Sequence, residues 1–236
     1  SGTVKVFGED LAQLDEHGMN KVRRQFGILF QSGALFNSMS VADNVALSLR
    51  EHTDLDPDII KFIVKIKLEQ VGLREASEKF PSQISGGMKK RAGLARALAL
   101  DPKLLFYDEP SAGLDPVTSA TIDQLILDLA KKAGATSVVV THDMDSAFVI
   151  ADRMAMLDKG KMLMIDKREV FEQLRDCPKE NVHELDERQQ LIRQFLRGDA
   201  EGPLTRRKED SSYAEDLLGI SAPRLSRGPS IHSSKE

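Results

Sequence analysis

The sequence has a single cysteine, no long apolar run and no excess of positive charge. With only Cys177 available, an internal disulfide is excluded and a reducing compartment is favoured. No stretch approaches the roughly 18 to 20 consecutive apolar residues that span a bilayer. The formal net charge of −4 argues against general nucleic-acid binding, because that needs a basic surface. What remains, with 41% hydrophobic and 30% charged residues, is the composition of a globular protein.

Predicted strands and helices alternate along the 236 residues. Apolar runs predict strands at residues 3–7, 24–31, 103–108 and 136–141. Helical periodicity and capping residues predict helices at residues 41–49, 57–71, 85–98, 117–132 and 146–151. Residues 153–157 and 162–165 predict a hairpin across Lys159-Gly160. The alternation predicts an α/β fold with a mostly parallel sheet and helices on its faces.

The predicted elements divide the chain into four parts. The sheet-containing core comprises residues 1–40 and 101–175, interrupted by a helical lobe at residues 41–100. A helical extension is predicted at residues 176–198. Residues 199–236 are rich in Ser, Pro, Arg and Glu, which predicts a flexible, disordered tail. The charged stretch at residues 9–20 is also predicted to be poorly ordered.

Two adjacent acids, Asp108 and Glu109, follow the apolar run Leu104–Tyr107. Carboxylates at the C-terminal edge of a buried strand are costly to place there, and ligands of α/β sheets bind at this edge. In nucleotide hydrolases, the first such acid belongs to the Mg²⁺ shell and the second orients and deprotonates the attacking water. A solvated acid pair without a catalytic role is the structural alternative.

Three further segments are candidates for chemistry. Ser85 is a good helix cap, and the Gly86-Gly87-Met88 that follows would expose backbone amides to an anion. His142 ends the strand predicted at residues 136–141, and Gln31 ends the strand predicted at residues 24–31. Taken singly, each has a structural explanation: a turn into a helix, a core histidine, or a strand end.

Together, the order and spacing of these segments resemble the ABC ATPase family. The matches are Gln31 with the Q-loop, Ser85–Met88 with the signature motif, Asp108-Glu109 with the Walker B acids, Ser111–Asp115 with the D-loop, and His142 with the switch histidine. The resemblance covers about residues 1–175. It implies a P-loop NTPase-like (RecA-like) core with an inserted helical lobe, and ATP and Mg²⁺ as cofactors.

The resemblance also implies a role for each matched residue. Glu109 would be the base on the attacking water, His142 would contact the γ-phosphate, and Asp108 would hold Mg²⁺. Gln31 would touch Mg²⁺ or the water. Two subunits would pair head to tail, so that Ser85, Gly86, Gly87 and Met88 of one copy cradle the ATP of the other. Asp115 would link the two sites across the dimer.

The sequence departs from the family pattern at two points. Met88 stands where the family more often has Gln, which affects a polar contact rather than the phosphate cradle. None of the 16 glycines begins a G-x-x-x-x-G-K-[S/T] pattern, so the P-loop is missing. In the family this loop lies upstream of the segment that begins with Ser1. We therefore expect an N-terminally truncated subunit that hydrolyses no ATP by itself.

Residues 30–36, 41–45, 85–91 and 193–198 are similar to the ATPase of Mla-type, MCE-associated phospholipid transport systems. Met88 is typical of that subgroup. The resemblance implies lipid transport through a partner permease, with an MCE-type lipid-binding protein as a further partner and no role for nucleic acid. It also implies a cytoplasmic location, peripheral on the inner face of the cell membrane.

An importer ATPase for polar amino acids or another small solute is the nearest alternative. ABC ATPases of DNA repair place coiled coils or zinc modules between the Q-loop and the signature, whereas residues 32–84 contain no heptads and no CxxC. A non-catalytic regulatory protein is disfavoured because Glu109 and His142 are both present.

The loop after Gln31 is too apolar for an ordinary exposed loop. The resemblance to the family implies that this loop and the helix after Val41 form a groove that receives a short cytoplasmic helix of the permease. Leu35 and Phe36 are the candidate anchors in that groove. The alternative is that both side chains merely pack the lobe onto the sheet.

Overall fold

Three of the apolar runs form a parallel sheet in the computed structural model, which describes residues 2–205. Its strands, in spatial order, are β3 (Phe26–Leu29), β4 (Leu104–Asp108) and β5 (Thr136–Val140). The register places Leu29 beside Tyr107 and Asp108 beside Val140. The predicted α/β fold with a parallel sheet is confirmed, and the carboxyl ends of its strands share one edge.

The chain divides into two compact units between Ala151 and Asp152. The sheet belongs to the first unit, and the hairpin that was predicted as part of the core belongs to the second. The domain boundaries predicted after residues 100, 175 and 198 stay predictions. Residues 206–236 of the predicted tail lie outside the described residues.

The N-terminal segment corrects two predictions. Instead of one strand, β1 (Lys5–Val6) and β2 (Glu9–Asp10) pair as a hairpin. Its two turn residues, Phe7 at φ 52° and Gly8 at φ 87°, have the left-handed conformation that two-residue hairpins require.

The stretch predicted to be poorly ordered forms a 3₁₀ helix (Leu11–Gln13) and then α1 (Glu16–Arg23). A side-chain cap starts α1, since Asp15 accepts a hydrogen bond from the Gly18 N–H at 2.7 Å. Val22 is the one buried residue described for this helix. The apolar pattern was therefore too weak to reveal α1.

Three helices form the predicted lobe: α2 (Val41–His52), α3 (Pro57–Gln70) and α4 (Gly86–Ala97). Ser40 caps α2, Pro57 opens α3, and Ser85 caps α4, as their sequence positions predict. The buried side chains of the lobe share one hydrophobic core with the sheet: Val45, Leu68 and Leu94 from the lobe, Leu29 and Leu105 from the strands. This common core fixes α4 against the strand ends.

Two more helices flank the sheet, α5 (Pro116–Ala133) and α6 (Met144–Ile150). Ile122, Ile126 and Leu129 of α5 are buried in the same core. α6 begins two residues before its predicted start, because the Asp143 side chain caps it by accepting the Ser146 N–H at 3.2 Å. Within residues 2–205, none of the helices combines the length and apolar character needed to cross a membrane.

The second unit contains the predicted hairpin and two helices. These are β6 (Arg153–Asp158), β7 (Lys161–Lys167), α7 (Arg168–Asp176) and α8 (Glu187–Arg197), with a 3₁₀ helix (Lys179–Glu184) before α8. The hairpin is confirmed, but its strands are longer than predicted, and α7 was not predicted. Phe171 and Leu174 of α7 are buried, as are Leu191 and Ile192 of α8. Gln194 accepts the Leu204 N–H at 2.7 Å, which ties the first residues after Gly198 to α8.

Candidate functional site

The acid pair lies at the carboxyl end of the central strand, β4. Asp108 is the last residue of the strand and is exposed to solvent. Glu109 has a φ of 47°, a left-handed conformation that is costly for a residue other than glycine. Its backbone is held on both sides, since its N–H donates to the Val140 carbonyl at 2.9 Å and its carbonyl accepts the Ala112 N–H at 3.2 Å.

The structure brings Glu109 and His142 into direct contact. The Oε1 atom of Glu109 lies 2.7 Å from Nδ1 of His142 and accepts the His142 backbone N–H at 3.1 Å. The other oxygen, Oε2, accepts the Thr141 hydroxyl at 3.3 Å. The Glu109 side chain is only 17% exposed, whereas that of His142 is 76% exposed. An exposed imidazole is thus fixed by a largely buried carboxylate.

This contact changes the proton affinity of His142. The hydrogen bond that His142 donates to Glu109 raises the pKa of His142, the charge of Glu109 raises it further, and Asp143 adds a smaller effect in the same direction. Both carboxylates favour the charged imidazolium. The contact between His142 and Glu109 therefore stabilises the folded state at acidic pH. This contribution is lost as the pH rises through the raised pKa of His142. A protonated imidazole at this edge is suited to binding an anion.

Lys90 is a residue of the site that the sequence analysis missed. It lies on α4, its Nζ donates to the Glu109 carbonyl at 2.8 Å, and it is 5% exposed. Burial lowers the pKa of Lys90, and the charge of Glu109 acts in the opposite direction. In the sequence it is the middle residue of the Lys89-Lys90-Arg91 run, a pattern more typical of a solvated helix surface. Its burial depends on α4 packing against β4, which the sequence alone does not show.

The signature-like segment forms the N-terminus of α4. Ser85 caps the helix by accepting the Met88 N–H at 3.3 Å, and Ser85 and Gly86 are exposed. A Cβ on Gly87 would lie 2.6 Å from Cγ2 of Thr118, so only glycine allows α5 to approach this closely. The start of α4, with its free amides, is suited to an anion.

Asp115 caps the neighbouring helix α5. Its carboxylate accepts the backbone N–H of Val117 at 3.1 Å and of Thr118 at 3.0 Å, together with the Thr118 hydroxyl at 2.5 Å. The Thr118 hydroxyl has the largest effect in lowering the pKa of Asp115, and the backbone donors add to it. Thr118 therefore links the cap of α5 to Gly87 of α4.

Gln31 lies two residues beyond β3 and is exposed, in a turn closed by the Gly33 N–H to the Phe30 carbonyl at 2.8 Å. Arg96 of α4 holds the loop that follows, donating to the carbonyls of Ala34 at 2.7 Å and Gly33 at 3.1 Å. Within residues 2–205, Gln31 makes no hydrogen bond to the acid pair. Gln31 and Asp108 follow neighbouring strands, which brings them to the same sheet edge.

A family model described as ABC transporter matches residues 1–112. The intermembrane phospholipid transport system ATP-binding protein MlaF of Escherichia coli K12 is 40% identical over 217 residues, 92% of this chain and 76% of MlaF. The chain belongs to the ABC transporter ATP-binding proteins. MlaF of Haemophilus influenzae is 39% identical over 92% of this ABC protein and 77% of its own length.

A third relative is longer than this ABC protein. The probable ribonucleotide transport ATP-binding protein mkl of Mycobacterium leprae is 40% identical over 229 residues. The match covers 96% of this chain but only 62% of mkl.

Solved structures give the same fold. CbiO1 from Clostridium perfringens, part of the ABC transporter complex cbiONQ, has a TM-score of 0.67 at 29% identity, over 78% of this chain and 71% of that one. The dimeric cassette MJ0796, in a post-hydrolysis state bound to ADP and Pi, has a TM-score of 0.64 at 30% identity. The match covers 71% of this chain and 74% of MJ0796. The P-loop NTPase-like fold expected from the motifs is confirmed.

Proposed function

We propose that this ABC protein is the ATP-hydrolysing subunit of a transporter and that Glu109 is its general base. The observation that carries the proposal is the carboxylate of Glu109, held at the end of β4 in contact with His142. A general base must lie within hydrogen-bond reach of the water that it activates. His142 is exposed beside it, positioned to contact the terminal phosphate of a bound nucleotide.

In the described structure, both oxygens of Glu109 are engaged by residues 141 and 142. In the proposed mechanism, Oε1 exchanges its bond to Nδ1 for a bond to the attacking water. The raised pKa of His142 favours the imidazolium, which can then turn its positive charge from Glu109 to a phosphate oxygen. One movement of His142 would thus free the base and add a contact to the nucleotide.

The donors at the sheet edge fit Mg²⁺. Asp108 offers an exposed carboxylate, and Gln31 offers an amide oxygen from the turn after the neighbouring strand β3. Among residues 2–205, no group of three or more His, Cys, Asp or Glu side chains forms a metal site. Mg²⁺ is commonly bound through one or two protein groups together with water and substrate phosphates. Bound Mg²⁺ would neutralise phosphate charge during transfer.

A second copy would complete the nucleotide site. The exposed N-terminus of α4, Ser85–Met88, is suited to phosphate but forms no contact with Glu109 in the described structure. MJ0796, which shares the fold, is a dimer. We propose that α4 of one copy faces Asp108 and Glu109 of the other, with Asp115 between the two sites.

Phospholipid is the proposed cargo. Two relatives of which this chain covers more than two thirds are ATP-binding proteins of intermembrane phospholipid transport systems. The segments 30–36, 41–45, 85–91 and 193–198 carry the resemblance to that subgroup. A membrane permease and an MCE-type lipid-binding protein are the proposed partners, on the cytoplasmic face of the cell membrane. The name of mkl supports ribonucleotides as the alternative cargo.

Mixing two inactive variants tests the composite site. Both variants would carry a family P-loop segment ahead of residue 1. One would have Glu109→Gln, and the other Ser85→Arg, which blocks the anion site at α4. In a mixed dimer, one site combines the intact Glu109 of one copy with the intact Ser85 of the other. We expect an equal mixture to regain up to about one quarter of wild-type turnover, since about half the dimers are mixed and each has one intact site. A mixture that forms dimers but stays as inactive as either variant alone would refute the shared site.

A further inference from the structure

A buried carboxyl group lies behind the His142 segment and has no place in the hydrolysis site. Asp123 of α5 is 5% exposed. Its Oδ2 lies 2.7 Å from the hydroxyl of Ser146 on α6, which is buried as well. Its Oδ1 is buried and has no hydrogen-bond partner among residues 2–205. An ionised carboxylate with a single donor is costly in such surroundings.

A second carboxyl group shares the same serine. Oδ2 of Asp143 lies 3.3 Å from the Ser146 hydroxyl and 3.4 Å from the hydroxyl of Ser111. A serine hydroxyl has one proton to donate. If Asp123 and Asp143 were both ionised, the two carboxylates would compete for the one hydroxyl proton of Ser146. Asp143 also accepts the Ser111 hydroxyl and the Ser146 N–H, whereas Asp123 has no other donor among residues 2–205.

We propose that Asp123 is protonated in the folded protein and donates to Ser146, whose own hydroxyl donates to ionised Asp143. Each proton along this row then has an acceptor. The neutral acid also loses much less solvation energy than a carboxylate. Burial raises the pKa of Asp123, the Ser146 hydrogen bond opposes this, and the charge of Asp143 raises it again. Among the described residues, Asp143 is the charged group that acts on Asp123.

The row of hydrogen bonds makes Asp123 a positioning residue for His142. Asp143 directly follows His142, and its backbone N–H donates to Thr141 at 3.0 Å, next to the Glu109 contact. The carboxylate of Asp143 also accepts a hydrogen bond from the hydroxyl of Ser111. Ser111 is 4% exposed and belongs to the segment after the acid pair. Asp123 itself touches neither the acid pair nor the imidazole. Through Ser146 it fixes Asp143, and through Asp143 it fixes the segment that holds His142 against Glu109.

Carboxyl-carbon NMR of the 236-residue chain measures the protonation directly. The Asp123 resonance is assigned as the signal lost in Asp123→Asn. At pH 7 the Asp123 carboxyl carbon is expected to have the chemical shift of a protonated acid, distinct from that of the ionised aspartates. A chemical shift typical of an ionised carboxylate at pH 7 would overturn the proposal.

The titration of the His142 ring tests positioning. Ser146→Ala cuts the row, so His142 is expected to lose part of its Glu109 contact and to titrate at lower pH, toward about 6.5. Glu109→Gln removes the negative charge that raises the His142 pKa and serves as the reference. Asp123→Asn supplies a neutral amide donor to Ser146 and should leave the His142 midpoint unchanged. Asp128→Asn, on the same helix and bonded to Gln124, is the matched control.

Two outcomes would end the positioning role. An unchanged His142 midpoint in Ser146→Ala means that the row does not hold the segment. A midpoint in Asp123→Asn that falls as far as in Ser146→Ala means that a neutral donor does not replace Asp123. If Ser146→Ala does not fold, the carboxyl NMR measurement decides whether Asp123 is protonated. A lowered His142 midpoint in Asp123→Asn then shows that a neutral donor does not replace Asp123. No nucleotide is needed, so failure here leaves the proposed ATPase function standing.

Discussion

At the residue scale, the strained backbone of Glu109 is stabilised by a buried cation. Lys90 donates to the Glu109 carbonyl at 2.8 Å and has almost no contact with solvent. Its ammonium group loses hydration on burial, so the hydrogen bond offsets that loss rather than adding a large net stabilisation.

Lys90→Met keeps the length of the side chain and removes both the donor and the charge. We expect the free energy of unfolding to fall by about 1 kcal/mol, because one of the two donors to the Glu109 carbonyl disappears. Lys89→Met, at a half-buried neighbour, should change it by less than about 0.5 kcal/mol. Urea unfolding of the three proteins measures both. Equal losses in the two variants would mean that the Lys90 bond adds no stability.

Local residue chemistry predicted which residues end the strands at the shared sheet edge, and tertiary packing determined their contacts. Asp108, Glu109 and His142 were found because each follows an apolar run, and parallel strands place such residues at one edge. Lys90 and the buried Asp123 carry no comparable pattern. Their burial depends on which helix face meets the sheet, and nearby residues in the sequence do not determine that.

At the element scale, the close approach of α4 and α5 depends on Gly87. Gly87→Ala would place a methyl group 2.6 Å from Cγ2 of Thr118. Thr118 cannot easily turn away, because its hydroxyl is bonded to Asp115. Gly86→Ala is a matched control, since its Cβ would meet only Leu114 at an ordinary 3.8 Å.

Gly87→Ala should therefore lower the melting temperature, although alanine favours a helix by up to about 1 kcal/mol over glycine. Thr118→Ser removes the obstructing methyl and keeps the hydroxyl, so the double variant should recover most of the loss. Gly86→Ala should be neutral or stabilising. Differential scanning calorimetry of the four variants gives the comparison. A Gly87→Ala protein as stable as wild type would show that Thr118 and α5 accommodate the methyl group without a loss of stability.

The loop after β3 is a second element with a specific fixing contact. Asn44 of α2 is fully buried, accepts the Phe36 N–H at 2.7 Å and donates to the Phe36 carbonyl at 3.1 Å. Leu35 packs against the core, whereas Phe36 is 51% exposed. Of the two proposed permease anchors, Phe36 is thus the one available for a partner, and Leu35 also has a packing role.

Phe36→Ser should weaken binding to the permease while lowering the melting temperature only slightly, since half of the ring is already exposed. Asn44→Ala is the contrasting variant. It leaves buried backbone groups without partners and should cost about 1 to 3 kcal/mol of stability. Co-purification with the permease and thermal melts separate the two effects. If Phe36→Ser unfolds the protein or leaves the complex intact, the assignment of the permease-binding groove to this loop is wrong.

Element boundaries could be predicted where a cap or a proline marked them. Ser40, Pro57 and Ser85 began their helices as expected. Helix α1 was missed because its polar composition hid the Asp15 cap. The sequence predicts a strand that ends at Gly8, whereas in the structure Phe7 and Gly8 together form the turn of the first hairpin.

At the scale of the whole molecule, the parallel sheet assembles a site from distant parts of the chain. Residues near positions 31, 108 and 142 lie at one edge of the sheet because three strands end there. The α/β class and the parallel order could be predicted from the alternation of elements. The grouping of the hairpin with the C-terminal helices could not, because it depends on contacts between whole elements.

ATP turnover of Glu109→Gln tests the central claim most directly. The protein would carry a family P-loop segment ahead of residue 1, and the unmodified 236-residue chain would serve as the background. Glutamine keeps the shape of the side chain and removes the base, so turnover should fall at least about 100-fold while ATP binding is retained. A variant that turns over ATP within a few-fold of wild type would show that Glu109 is not the base.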